Sequence, residues 1–110
     1  MFISVEDFLE QAGKCKKLTR EEERALARKR ASGDPEAAQA LVRGYLPHAA
    51  AAVRNAREEY RTLELALRCA AAVEKAAAEF DFLQDSETFS HRLSLWLRQT
   101  VVRYMADKRG

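Results

Sequence analysis

Residues 89–108 read FSHRLSLWLRQTVVRYMADK, and this stretch decides the fold class of the chain. Apolar side chains recur in it at spacings of three and four residues, which places on one helix face Leu93, Trp96, Leu97, Val101 and Met105. Basic and amide side chains lie elsewhere on the cylinder. The stretch therefore predicts one amphipathic α-helix that buries an apolar face.

Upstream of this helix, four further helices are predicted from their start signals. Each start has a side chain that can accept a hydrogen bond from the free N–H groups of the first turn. These capping residues are Ser4 (with Asp7 in the first turn), Thr19 (with Glu22 as a capping box), Asp34 (followed by Pro35) and Thr62. The chain is thus expected to be all-α, a compact bundle of about five helices.

The helix ends are less sharply marked. Gly13 is expected to end the first helix in a left-handed conformation, and Ser32-Gly33 the second, whose main apolar contact is Leu26. Pro47 should kink or restart the third helix, which is predicted to end near residues 57–60. Residues 81–88 are predicted to form a polar loop that contains Phe82 and Leu83.

Composition supports a single domain over residues 1–110. A third of the residues are charged, the net charge is only +2, and glycine and proline are few. No apolar run approaches a membrane span and the N-terminus does not resemble a signal peptide, so a cytoplasmic protein is expected. Cys15 and Cys69 are predicted to be free thiols, and His48 and His91 have no ligand-type neighbours. We therefore expect no metal and no cofactor.

No catalytic constellation is present in the sequence, so an enzyme is not expected. Charge is nevertheless uneven, because residues 14–33 carry eight basic and three acidic side chains. The helix over residues 89–108 combines arginine for phosphates, glutamine for adenine edges and an aromatic ring for stacking. A solvated basic face would give the same pattern, and Trp96 could equally be a core residue. Phe89 is expected in the core.

The order of these motifs from Val5 to Lys108 resembles the promoter-recognition half of the bacterial sigma-70 family. The resemblance to its region 1.2 rests on Phe8-Leu9, Gly13, Leu18-Thr19-Arg20-Glu21-Glu22-Glu23, Leu26-Ala27, Arg28 and Gly33-Asp34. The start of region 2 is similar to Glu36-Ala37, Leu41-Val42 and Leu46. Its polymerase-binding segment is similar in spacing to Leu63-Glu64-Leu65, Lys75-Ala76 and Phe80-Asp81. The segment that melts and reads the promoter −10 element resembles Phe89-Ser90, Trp96-Leu97-Arg98-Gln99 and Ala106-Asp107.

The resemblance implies a domain with a region 1.2-like part (1–33) and a region 2-like part (34–110). It implies promoter −10 DNA and core RNA polymerase as partners. The DNA-binding candidates are Arg92, Trp96, Arg98, Gln99, Arg103 and Lys108. The polymerase-binding candidates are Leu63, Glu64, Leu67 and Arg68. The regions that bind the −35 element are missing after Gly110, and a second polypeptide could supply them.

Departures from the family pattern support a second hypothesis. Leu67 and Arg68 stand where the family carries a Gln-Glu pair, and reversing a charge weakens docking on a partner. Arg92 replaces a tyrosine and Leu95 a tryptophan, which removes aromatic surface for a flipped base. The alternative function is a diverged sigma-fold module that binds a protein and does not open promoters. Leu67 would then be a partner contact, unless it simply packs in the core.

Overall fold

The computed structural model describes residues 2–84 and 86–109 and contains five α-helices in this range. They are α1 (Val5–Lys14), α2 (Arg20–Ala31), α3 (Pro35–Asn55), α4 (Leu63–Glu79) and α5 (Phe89–Arg109). A single 3-10 turn, Glu58–Tyr60, lies between α3 and α4, and the described residues include no strand. The prediction of an all-α bundle of about five helices is confirmed.

The predicted helix starts are confirmed by side-chain hydrogen bonds. Ser4 Oγ accepts from the amide of Asp7 and Asp34 Oδ1 accepts from the amide of Glu36, each at 3.0 Å. Thr19 and Glu22 form the complete capping box, and Thr62 caps α4. Because each cap satisfies an N–H group that the helix itself leaves free, these four starts are fixed by local sequence.

Two predicted helix boundaries are wrong because of tertiary contacts. Gly13 does not end α1, which continues through Lys14; in the described range only Gly33 has a positive φ, of 96°. Pro47 does not start a new helix, since α3 runs through it and ends at Asn55 rather than near residues 57–60. Buried residues of α3 stand before and after Pro47, so packing holds the helix together across the missing N–H group.

The core is organised around α3, which packs against all four other helices. An aromatic cluster lies where α3 meets the start of α5 and the α4–α5 loop. The Phe89 ring is 4.7 Å from that of Tyr45, 4.8 Å from that of Phe82 and 5.1 Å from that of Phe80, between centroids. Phe82 is only 2% exposed, so the loop over 81–88, of which residue 85 is outside the described range, is not simply polar.

Helix α2 is attached mainly by polar contacts. Its buried residues are Ala27 and Glu23, whereas Leu26, the predicted main contact, is only half-buried. The Glu23 carboxylate accepts a hydrogen bond from the Tyr45 hydroxyl. The Arg30 guanidinium donates to the carbonyls of Ala77 (2.6 Å) and Phe80 (2.8 Å) and lies over the Phe82 ring. Arg30 thus satisfies carbonyls at the end of α4 that the helix leaves free.

The two cysteines are free, as predicted, and they lie in different surroundings. Cys15 is half-buried, whereas Cys69 is fully buried in α4, and burial raises the pKa of its thiol to about 11. Within the described residues, no helix is both long enough and apolar enough to cross a bilayer.

Candidate nucleic-acid interface

Helix α5 presents a line of polar and aromatic side chains at spacings of four, three and four residues. The line consists of Arg92, Trp96, Gln99 and Arg103. The helix is held in place by buried residues on the adjoining face, which are Phe89, Leu93, Leu97 and Tyr104. Since residues at these spacings share one helix face, the sequence alone sets the line, and packing turns most of it outward.

Part of this line opens on a groove between α4 and α5, of about 420 Å³. We call it the α4–α5 groove; its lining residues are Arg68, Ala71, Ala72, Lys75, Trp96, Gln99, Thr100 and Arg103. None of them is acidic, and three are cations. Among the described residues, Lys75, Gln99 and Arg103 have no hydrogen-bond or ion-pair partner. The groove therefore offers a positive surface, an amide and the edge of a half-buried indole.

Two DNA-binding candidates on α5, Arg98 and Arg92, do not line the α4–α5 groove. Arg98 lines a different groove, between α3 and α5, together with Val102, so it does not join Gln99 and Arg103. Arg92 is paired with Glu87, its Nη2 lying 2.9 Å from Oε2. That hydrogen bond raises the pKa of Arg92 and lowers the pKa of Glu87. Of the six predicted DNA contacts, Trp96, Gln99 and Arg103 are brought together.

The sixth candidate, Lys108, belongs to an ion-pair cluster at the other end of α5. Lys108 Nζ lies 2.9 Å from Glu64 Oε1, and this contact holds the pKa of the Glu64 carboxyl below its ordinary value. Arg68 bridges Glu64 (3.0 Å) and Asp107 (3.2 Å). The cluster ties the first turns of α4 to the last turn of α5.

Tyr104 lies beneath this cluster and anchors it. Arg68 Cζ is 5.1 Å and Lys108 Nζ 5.4 Å from the centre of its ring, within the range of cation–π attraction. Its hydroxyl is 2.6 Å from Thr62 Oγ1. The resemblance assigns Lys108 to a DNA surface and Glu64 and Arg68 to a polymerase surface. The structure joins all three in one cluster, in which each charge is already paired.

The remaining partner candidates are apolar. Leu67 is 45% exposed, so the interpretation as core packing is wrong for this residue, while Leu63 is half-buried. An exposed leucine alone is ordinary on a protein surface. Leu67 lies next to Arg68 and adds an apolar side chain to the exposed face of α4.

Sequence reasoning missed two residues that shape the site. Lys75 faces Arg103 across the groove, and its helical spacing of seven from Arg68 could have placed both on one face. Tyr104 is 2% exposed and follows Leu93 and Leu97 at helical spacing, a pattern hidden by the apolar residues beside it.

No family model, no curated protein and no solved structure matches this chain. The structure itself gives the class of protein: an all-helical bundle with a basic, tryptophan-edged groove between its last two helices. Among the described residues, no group of three or more His, Cys, Asp or Glu side chains is placed to hold a metal ion.

Proposed function

We propose that this chain is a sigma-like transcription-initiation protein that contacts promoter −10 DNA and docks on RNA polymerase. One observation carries the DNA-binding part of the proposal. The α4–α5 groove gathers Trp96, Gln99 and Arg103 with Lys75, and no acidic side chain lines it. The order and spacing of the sigma-like motifs along the whole chain support the same function.

Each residue of the groove has a separate role in this proposal. Lys75 and Arg103 stand on opposite sides and attract the phosphates of one strand. Gln99 offers both a donor and an acceptor, the pair that an adenine edge requires. Trp96 is half-buried, so it presents the edge and part of the face of its ring rather than a free stacking platform.

The proposed activity is recognition of DNA rather than independent opening of a promoter. Flipping a base out of the duplex costs its stacking energy. An aromatic or closely shaped pocket has to offset that cost. The positions beside Trp96 that would supply such a pocket are Arg92, which is bound to Glu87, and Leu95, which is exposed and aliphatic. The groove is therefore suited to a paired duplex more than to an extruded base.

The DNA-binding proposal predicts sequence-dependent binding that falls with salt. Duplex DNA of the −10 type should bind more tightly than scrambled duplex in a fluorescence anisotropy titration. The change Arg103→Gln, alone or with Lys75→Gln, should reduce the salt slope by about one for each lost phosphate contact. Gln99→Ala should remove about 1–3 kcal/mol of preference for the correct sequence.

Arg43→Gln is the matched control, because Arg43 is exposed on α3 and lines a groove with α4 on another side of the bundle. It removes one charge without touching the α4–α5 groove and should leave the slope unchanged. Absence of binding even at low salt would rule out the DNA-binding proposal. Binding without sequence preference would reduce it to a general basic surface.

The second candidate function is a diverged sigma-fold module that binds a protein and does not open promoters. The exposed Leu67 beside Arg68 favours it, because an apolar side chain and a paired cation replace the polar, acidic face expected for polymerase docking. The two candidates differ in what α4 is expected to bind. Both candidate functions assume the same fold and the same exposed face of α4 as the binding surface.

Capture of purified core RNA polymerase distinguishes the two candidates. If docking uses this face of α4, the change Leu67→Gln should strengthen capture, because it restores a polar contact and leaves the ion pairs intact. Restoring the acid directly with Arg68→Glu is less suitable, since the new carboxylate would lie against Glu64 and Asp107. No capture by either the parent chain or Leu67→Gln would favour the second candidate.

A further inference from the structure

A second basic cleft lies between α3 and the end of α1, away from the α4–α5 groove. We call it the Lys17–Arg54 cleft; its volume is about 300 Å³ and its lining residues are Gly13, Lys17, Pro47, His48, Ala51 and Arg54. Three of these six residues carry basic nitrogen groups, and none is acidic. The basic groups come from two separate parts of the chain, since Lys17 precedes α2 whereas His48 and Arg54 belong to α3.

The cations of this cleft differ from their neighbours in lacking acidic partners. Lys14 is paired with Glu10 at 3.0 Å, and Lys16 with Glu22 at 3.7 Å. Over residues 2–84 and 86–109, neither Lys17 nor Arg54 has an ion-pair or hydrogen-bond partner. Lys17 and Arg54 therefore bring unbalanced positive charge to the cleft.

Gly13 positions one of these cations. A β-carbon at Gly13 would lie only 2.9 Å from Nη2 of Arg54, so the guanidinium occupies the space that a side chain would take. This contact places Arg54 beside the last turn of α1, where carbonyl groups carry partial negative charge. The guanidinium is held at the wall of the cleft by this close approach.

His48 adds a group whose hydrogen-bonding capacity is unused. Its Nδ1 atom is buried and has no partner among the described residues. Burial lowers the pKa of His48, and the positive charge of Lys17 lowers it further. A bound anion would reverse the second effect, because it offsets the charge of Lys17 and favours the protonated imidazole.

We propose that the Lys17–Arg54 cleft binds a phosphate group. A guanidinium and an ammonium supply charge-assisted donors for several phosphate oxygens, and the imidazole of His48 lines the same small cleft. His48 and Ala51 also line the groove between α3 and α5, so the cleft opens towards Arg98. The phosphate can come from free oxyanion or from a nucleic-acid backbone. The site does not depend on the α4–α5 groove or on the function proposed for it.

The test is a titration of the full chain with sodium phosphate, monitored by NMR of the His48 imidazole and the amides of Gly13 and Ala51. Sodium chloride at equal ionic strength gives the reference. Phosphate should produce saturable shifts at these residues and raise the pKa of His48. The charged or titratable groups near this imidazole are Lys17, Tyr45 (5.1 Å between ring centres) and Arg54 of α3, and Arg98 of α5.

Substitutions in the Lys17–Arg54 cleft test whether phosphate binds there. Lys17→Gln and Arg54→Gln should each weaken phosphate binding by about tenfold, because each removes one charge-assisted contact. Arg43→Gln, an exposed arginine of α3 outside the cleft, should bind phosphate like the parent chain. Shifts that sodium chloride reproduces, or that persist in the Lys17→Gln/Arg54→Gln double variant, would overturn the proposal.

A parallel titration with a short single-stranded oligonucleotide identifies the source of the phosphate. Shifts at His48 at much lower concentration than with inorganic phosphate, lost in Arg54→Gln, indicate a nucleic-acid backbone. Shifts with inorganic phosphate alone indicate a free oxyanion. Either result supports a phosphate site, and absence of both overturns it. Because the Arg103→Gln variant should leave these shifts unchanged, failure of the DNA-binding proposal remains distinguishable from failure of this one.

Discussion

Replacing Phe89 by alanine should lower the free energy of unfolding by about 3–5 kcal/mol. Its ring is 1% exposed and contacts three other rings, those of Tyr45, Phe80 and Phe82. Removing it leaves a cavity where α3, α5 and the α4–α5 loop meet, and the loop cannot fill that space without moving Phe82. Since a domain of this size is stable by only about 5–15 kcal/mol, the change removes a large share of the total.

The measurement is urea unfolding followed by circular dichroism. The midpoint should fall for Phe89→Ala while the slope stays that of the parent chain. Phe2→Ala is the matched control, because Phe2 is half-buried and, among the described residues, its ring contacts only the ring of Phe8. It should cost about 1 kcal/mol. Equal losses for the two variants would show that the cluster around Phe89 is not central to the fold.

Replacing Tyr45 by phenylalanine should cost about 1–3 kcal/mol. The change keeps the ring among its aromatic neighbours and removes only the hydroxyl that donates to Glu23. Glu23 is 8% exposed, so its carboxylate cannot recover the lost hydrogen bond fully from water. Converting both partners, as Tyr45→Phe with Glu23→Met, should cost less than the sum of the single changes, because no buried group is then left unpaired.

The same pair predicts a loss of stability at alkaline pH. Burial, together with the neighbouring Glu23, raises the pKa of the Tyr45 hydroxyl well above its ordinary value near 10. Above about pH 10, Tyr45 loses its hydroxyl proton in the unfolded chain and keeps it in the folded chain. Stability should therefore fall by up to about 1.4 kcal/mol per pH unit from this group.

Urea unfolding of the parent chain and of Tyr45→Phe on both sides of pH 10 isolates the Tyr45 contribution. Other groups titrate equally in both proteins, so the difference between their unfolding free energies should shrink as the pH rises past 10. A difference that stays constant up to pH 11 would contradict the raised pKa of Tyr45.

Local sequence predicts the starts of the helices in this chain better than their ends. A helix start depends on one side chain and the amides within a few residues, as at Thr19 and Asp34. An end depends on what the last turn meets in the folded protein. Gly13 has the residue type of a left-handed cap, yet it stays helical, and the guanidinium of Arg54, distant in sequence, lies where a side chain would be. Gly33 has no such neighbour and takes the left-handed conformation.

Prediction from local sequence has the same limit at the candidate site. Helical spacing determines that Trp96, Gln99 and Arg103 lie in one line, although the apolar pattern alone assigns Trp96 to a different face. Spacing within α5 does not reveal that Lys75 of α4 lines the same groove, or that Lys108 is paired with Glu64. Those pairings depend on how α4 and α5 lie against each other, which is set by core packing and not by either helix alone.

The polar attachment of α2 has a consequence for how the domain opens. Its larger contacts are hydrogen bonds from Tyr45, Arg24 and Arg30 rather than buried aliphatic surface, and its one fully apolar buried residue is an alanine. Breaking such contacts exposes little hydrophobic area, so α2 can separate while α3, α4 and α5 keep their core. Amide hydrogen exchange in residues 20–31 would then proceed through a local opening, at a lower free energy than exchange in the rest of the bundle.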